Sequence, residues 1–219
     1  RDEVARAGYV EVLTHGLCRL DEQFDKLRHD DGKEKAVVLS NPASEEFEIV
    51  RTSLLVGALK TLECAKAHSV KEGLKLFEVN DVVHRDDKED VGALNRRHLV
   101  ATYTGPTAGF EVIHGLVDRV MTCAQVAPTR QYAGNSLKGY TGSTSGKMYS
   151  VEPIDDPTYF PGRCARVMIE ESGSKTSVGI FGVVHPEVLK NFGVANPTSA
   201  LELDVEALAA ASSVPPCGC

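Results

Sequence analysis

No surplus of basic residues is present: 24 Lys and Arg stand against 31 Asp and Glu, for a net charge of −7. That excludes a surface gripping a nucleic-acid backbone by bulk electrostatics, which needs clustered Lys and Arg, so any RNA contact is local or belongs to a partner. Long apolar runs are missing too. Nothing approaches the roughly 18 residues a membrane helix needs, and the opening Arg1-Asp2-Glu3 is unlike a secretory signal. The expectation is a soluble, cytoplasmic protein with no membrane partner. Six cysteines, at 18, 64, 123, 164, 217 and 219, lack the C-x-x-C spacing of a zinc or redox site and read as free buried thiols in a reducing compartment. Cys217 and Cys219, in a tail opened by Pro215-Pro216, offer at most half a tetrahedral zinc site. A Gly-rich phosphate loop after a strand, Gly-x-Ser-x-Gly, His-Glu-x-x-His and any internal repeat are all lacking, so P-loop, Rossmann and zinc-protease chemistry are unsupported.

What is there suits one main domain: 219 residues that are 42% apolar can bury a substantial core. A short helix is expected up to Ala7, then a strand over Tyr9 to Leu17 from its alternation. Asp21 caps a brief helix bearing Phe24 and Leu27, and a charged loop from His29 to Lys35 leads to a strand Ala36–Leu39 ended by Asn41-Pro42. From Thr52 or Ser53 as cap, Leu55, Leu59 and Leu62 recur with Ala58 and Ala65 at helical spacing, to about Ala67. Leu74 to Val83 is a central strand whose apolar residues change phase between Leu76 and Phe77, either covered on both faces or bulged. His98 to Thr104 is another, closed by Gly105-Pro106. Phe110, Ile113, Val117, Val120 and Met121 mark an amphipathic helix ending before Pro128. Gly134 to Gly146 reads as a mobile loop. A hairpin turns at Ser172-Gly173-Ser174 and runs to Val184, Pro186 to Leu189 start a helix, and Leu201, Leu203 and Val205 line a last strand. The sum is an α+β domain on a mostly antiparallel sheet flanked by helices.

Four constellations could carry chemistry. His84-Arg85-Asp86-Asp87 ends the central strand and offers a cation and a carboxylate, but reads first as a solvated strand exit. His185 before Pro186 could act as an acid or base, and more simply hydrogen-bonds loop backbone. Glu202, Asp204 and Glu206, two apart, share a strand face that could hold Mg²⁺ or be ordinary exposed acids. Arg51-Thr52-Ser53 places a charge and two hydroxyls at a helix start, for local capping or an intersubunit contact. No catalytic, cofactor-binding or metal residue is assigned.

Asn41-Pro42, Val50-Arg51-Thr52-Ser53-Leu54-Leu55, Leu74 to Val79 with Asp81-Val82-Val83, Asn95 to Leu99, Phe110 to Met121, Phe160-Pro161-Gly162-Arg163, Gly182 to Leu189 and Ala200 to Leu203 together resemble phenylalanine–tRNA ligase β subunits, from about Arg1 to about Leu208. The resemblance implies a catalytic-like class II synthetase core over 1–208, with a flexible tail over 209–219, in a longer subunit of the cytosolic eukaryotic and archaeal type. It implies a partner, the catalytic α subunit, in an (αβ)₂ enzyme that joins phenylalanine to its tRNA with ATP and Mg²⁺, neither of them held by this chain. The strand-end Arg that holds the ATP α-phosphate in active class II cores falls at His84 here, with Arg85 facing the opposite way. Where such cores have strand glycines and then a helix Arg, this chain has Glu202, Asp204 and Ala207, a set that blocks and repels polyphosphate. The expected interface with α comprises Tyr9, Val12, Arg51, Thr52, Ser53, Leu54 and Leu55, on apolar segments with unexplained polar groups. Rival readings are a free-standing class II-fold enzyme activating a small acid with ATP, and a regulatory paralogue that binds a protein partner.

Overall fold

The structure, a computed structural model, describes residues 1–29, 32–65, 73–129, 147–171 and 173–211. In chain order its elements are α1 (Asp2–Arg6), β1 (Val10–Glu11), β2 (Leu17–Cys18), α2 (Leu20–Gln23), β3 (Ile49–Val50), α3 (Leu55–Cys64), β4 (Leu74–Arg85), β5 (Ala93–Thr104) and α4 (Phe110–Cys123). There follow β6 (Ala127–Pro128), β7 (Met148–Pro153), β8 (Tyr159–Glu171), β9 (Ser174–Val184), α5 (Pro186–Asn191), β10 (Thr198–Asp204) and α6 (Val205–Ala211). Among the described residues, eight strands form one sheet in the order β1-β4-β5-β10-β9-β8-β7-β6, parallel at the two outermost pairs and antiparallel between them. The α+β class and its antiparallel sheet flanked by helices are as the sequence implies, and the arrangement is consistent with a synthetase-like core.

Side-chain alternation gives the sheet two apolar faces. Phe77, Leu99, Ala101, Phe181, Leu201 and Leu203 meet Val4 of α1, Ile113, Leu116, Val117 and Met121 of α4, and Leu208 of α6. On the opposite face Leu76, Val82, Val100, Ala200 and Val184 meet Leu55, Val56, Ala58, Leu59 and Leu62 of α3 and Val188 and Leu189 of α5. Covering on both faces explains the phase change in β4, whose register with β5 runs unbroken from Leu74 to Arg85. That strand lies second from the edge rather than in the middle.

Several expectations need correcting. The strand expected over Tyr9 to Leu17 pairs in the sheet only at Val10 and Glu11, because beyond Val12, whose N–H reaches Phe77 O at 2.8 Å, the segment bonds to side chains instead. Ala36 to Leu39 is not a regular strand: after a 3₁₀ turn at Lys33–Lys35 it offers one isolated bridge, Val38 to Ile49. Val205 starts α6 instead of ending β10, since Asp204 Oδ1 accepts the Ala207 N–H at 2.9 Å and opens a helix there. The Gly134 to Gly146 loop, the end of α3 expected near Ala67, Ser172 of the hairpin turn and the tail beyond Ala211 lie outside the described residues.

Candidate functional site

Strands β4, β5, β10 and β9 are in register, so Glu78, Val100, Glu202 and Ile180 form one row across the sheet. Directly opposed residues share a face, and Val100 and Ile180 belong to the core beneath α3. Both carboxylates therefore face α3, about 10 Å apart at two strand spacings. Removing a charge from water costs several kcal/mol unless it is paired and hydrogen-bonded. Each carboxylate is met by a different stretch of the segment leading into α3.

Glu78 is fully buried. Its Oε1 accepts Arg51 Nη1 at 3.1 Å, Asn80 Nδ2 at 3.0 Å and the Thr14 N–H at 3.3 Å, and its Oε2 accepts the Thr14 hydroxyl at 2.6 Å. Arg51, 5% exposed, also donates through Nε to Asp81 O at 3.0 Å and through Nη1 to Thr14 Oγ1 at 2.9 Å. One guanidinium thus ties residues 14 and 15 to the outer edge of β4, where a regular neighbouring strand has stopped. Gly57 permits the fit: a Cβ there would lie 2.7 Å from Thr14 Cβ.

Glu202 is the second anchor, its side chain 13% exposed. The Ser53 hydroxyl donates to its Oε2 at 2.5 Å, while Leu54 N–H at 3.1 Å and His98 Nδ1 at 2.8 Å meet its Oε1. Burial alone would raise the Glu202 carboxyl, but His98, Ser53 and Leu54 together hold it below its ordinary value. Burial alone would lower His98, yet the bond to Glu202, with the charges of Asp204 and Glu206, raises it. His84 is lowered, by burial first and then by His98, whose ring lies 6.5 Å away.

The sequence-derived candidates are placed as follows. Of the seven proposed interface residues, Tyr9, Arg51, Leu54 and Leu55 are buried within the chain, and Val12, Thr52 and Ser53 are half-buried. Ser53 does more than cap locally: besides accepting the Leu55 N–H at 3.0 Å, it reaches across to β10. His84 sits at the end of β4 beside His98, while Arg85 is exposed and pairs with Asp87 at 3.1 Å. His185 accepts the Glu187 N–H at Nδ1 and so caps α5. The three acids do not share a strand face. Glu202 is half-buried, Asp204 opens α6, and Glu206, on α6 itself, accepts the Arg97 N–H at 3.0 Å. Among the described residues no group of three His, Cys, Asp or Glu is arranged to hold a metal ion. Cys18 and Cys164 are buried free thiols, pushed up by burial to about 11 and about 12, whereas Cys64 and Cys123, expected inside, are exposed. Cys217 and Cys219 lie outside the described residues.

Sequence reading missed Glu78 and His98 as site residues. The signal was parity: Glu78 falls on the same side of its strand as Leu76 and Val82, and His98 on that of Val100. Two carboxylates stand on this face, Glu78 bonded to Arg51 and Glu202 to His98.

Comparison with known proteins adds the family. Residues 1–205 match the family model described as the phenylalanyl tRNA synthetase beta chain CLM domain. The chain is 41% identical over 206 residues to a mouse protein named phenylalanine–tRNA ligase beta subunit, an alignment covering 94% of this chain and 32% of that one. A Caenorhabditis elegans protein of the same name is 42% identical over 207 residues, covering 94% and 32%. An Arabidopsis thaliana protein named phenylalanine–tRNA ligase beta subunit, cytoplasmic, is 42% identical over 210 residues, covering 95% and 33%. The chain thus spans about a third of the length of these relatives.

Proposed function

The chain belongs to the phenylalanyl tRNA synthetase beta chain family, at its CLM domain, and on that premise we propose that it is a non-catalytic, catalytic-like module supporting assembly with a catalytic α subunit. The assembled (αβ)₂ enzyme would join phenylalanine to its tRNA with ATP and Mg²⁺ in the cytoplasm, all of that chemistry lying on α. The observation that carries the reading is the sheet face beneath α3. The resemblance implies that active class II cores have strand glycines that admit ATP and arginines that hold its phosphates, because catalysis of this kind is electrostatic stabilisation of developing charge. Here Glu78 and Glu202 stand on the face beneath α3, bonded to Arg51 and His98.

A structural role also suits the segment from Tyr9 to Leu17. Val10 and Leu13 are 59% and 76% exposed on it, and Val38 nearby in sequence to β3 is 59% exposed. Obligate interfaces bury apolar area of this kind. In this reading Val12, Thr52 and Ser53 lie at the contact, while Tyr9, Arg51, Leu54 and Leu55 hold its shape from beneath. Co-expression with an α subunit tests it. The wild-type chain should co-purify in equal amounts with α, and Leu13→Asp should release α while the chain's own unfolding midpoint is unchanged. Equal recovery of α by both forms would remove the segment from the interface.

A further inference from the structure

The chain leaves a hollow where it runs from β9 through α5 to β10. Helix α5 is six residues long and closes on a left-handed Gly193 (φ 70°), a conformation that suits glycine after a helix. There the Gly193 N–H meets Lys190 O at 3.1 Å and the Val194 N–H meets Leu189 O at 2.8 Å. The turn brings Val194 back onto the core, and Pro197, whose carbonyl accepts the Gly105 N–H at 3.2 Å, leads into β10. Between the end of β9, the helix and the returning loop lies an open cavity of about 490 Å³. Val183, Val184, Leu189 and Val194 line it. Val183 and Val194, each 9% exposed, are the most accessible of the buried apolar residues, so the core itself is reached from this cavity.

The polar groups of the lining decide what it accepts. Lys190 and Asn196 are the two polar side chains there, and neither has a hydrogen-bond or ion-pair partner among the described residues. The acid of α5, Glu187, is taken by Arg28 at 3.1 Å and leaves Lys190 unmatched. A cavity of a few hundred Å³, apolar inside and with a small number of polar groups left to bond, has the form of a small-molecule site. Its one cation calls for one negative charge. We propose that this hollow binds an aryl or medium-chain alkyl monocarboxylate, its apolar body against Val183, Leu189 and Val194 and its carboxylate on Lys190 and the Asn196 amide. A phosphate monoester, with nearly two charges, lacks a second cation in the lining. The inference goes beyond the proposed function and does not depend on it.

Titrating 4-phenylbutyrate into the 219-residue chain, with the valine and leucine methyls followed by NMR, tests this. At the binding efficiency usual for ligands of this size the dissociation constant should be on the order of 1 mM, and the shifts should centre on Val183, Val184, Leu189 and Val194. Acetate at the same concentration should move none of them, having no body to fill the cavity. Lys190 is exposed, so its pair with the acid is weak: Lys190→Gln should loosen 4-phenylbutyrate about two- to fivefold and leave the neutral 4-phenylbutanol unchanged. Ala195→Trp, at an exposed position of the lining, should abolish saturable shifts from both compounds while the thermal midpoint stays near that of wild type. If that variant does not fold, the Lys190→Gln comparison decides alone. The proposal is overturned by the absence of saturable shifts at the four residues, or by shifts shared equally with the exposed Leu13 and Val91. It is overturned equally by an acid and an alcohol that respond alike to Lys190→Gln.

Discussion

Removing the guanidinium of Arg51 tests the first anchor most severely. Arg51→Met keeps most of the apolar stem but leaves Glu78, fully buried, facing only Asn80 and Thr14, and leaves Asp81 O and the carbonyls of Thr14 and His15 without their donor. Breaking one partner of a buried ion pair costs about 3–5 kcal/mol. For a chain of this size each kcal/mol moves the thermal midpoint about 2–4 °C, so a loss of about 6–20 °C is expected. Arg51→Lys keeps the charge but cannot reach Asp81 O and Glu78 together through a planar fork, and should fall between wild type and Arg51→Met. Making the second change, Glu78→Leu, in the Arg51→Met background removes the stranded charge and should recover part of the loss, because apolar replacement of a whole buried pair is often neutral. Thermal and urea unfolding of the purified chain read all four proteins. A loss below about 1 kcal/mol in Arg51→Met, or a double variant no more stable than the single, would refute the view that this pair fastens residues 12–16 to the sheet.

Gly57→Ala should destabilise the chain by about 1–3 kcal/mol through the collision with Thr14, although alanine favours a helix by about 1 kcal/mol; a more stable variant in urea unfolding would show that Thr14 moves aside freely. The Glu202–His98 pair sets a pH window. Glu202, lowered, contributes stability above its ordinary 4.5 that is lost as pH falls through its folded value, and His98, raised, contributes below 6.5 what is lost as pH rises through its folded value. His84, lowered, opposes this by costing stability as pH falls below 6.5. Above pH 6.5 the unfolding free energy of wild type should therefore decline more steeply than that of His98→Gln, and parallel curves would remove His98 from the account.

Much of the fold was legible because one periodicity ruled each segment. Helix α4 shows its three-and-four spacing, and β8 and β9 show alternation across a Gly turn, since each buries one stripe or face. The start of β5 was hidden because Asn95, Arg96 and Arg97 carry the hairpin into solvent, where no apolar pattern is needed. Residues 12–16 alternate as a strand yet pair with side chains, a consequence of Arg51 and Glu78 that no local pattern encodes. The site was half legible. Glu202 stood out in an acidic run, but its burial depends on Ser53 and Leu54, 148 and more residues earlier in the chain. Glu78 and His98 were readable only as polar residues on the apolar side of a strand.

The proposed absence of nucleotide chemistry from this chain is decided by ATP–pyrophosphate exchange with phenylalanine and Mg²⁺. The assay is run on the chain, on its Ala207→Arg variant and on the chain assembled with an α subunit. Loss of a single phosphate-stabilising group commonly costs about a hundredfold or more in rate, and restoring one Arg leaves Glu202 where it stands. Exchange is expected from the assembly alone. Exchange well above background from the isolated chain would contradict it and make the chain a class II-fold enzyme in its own right.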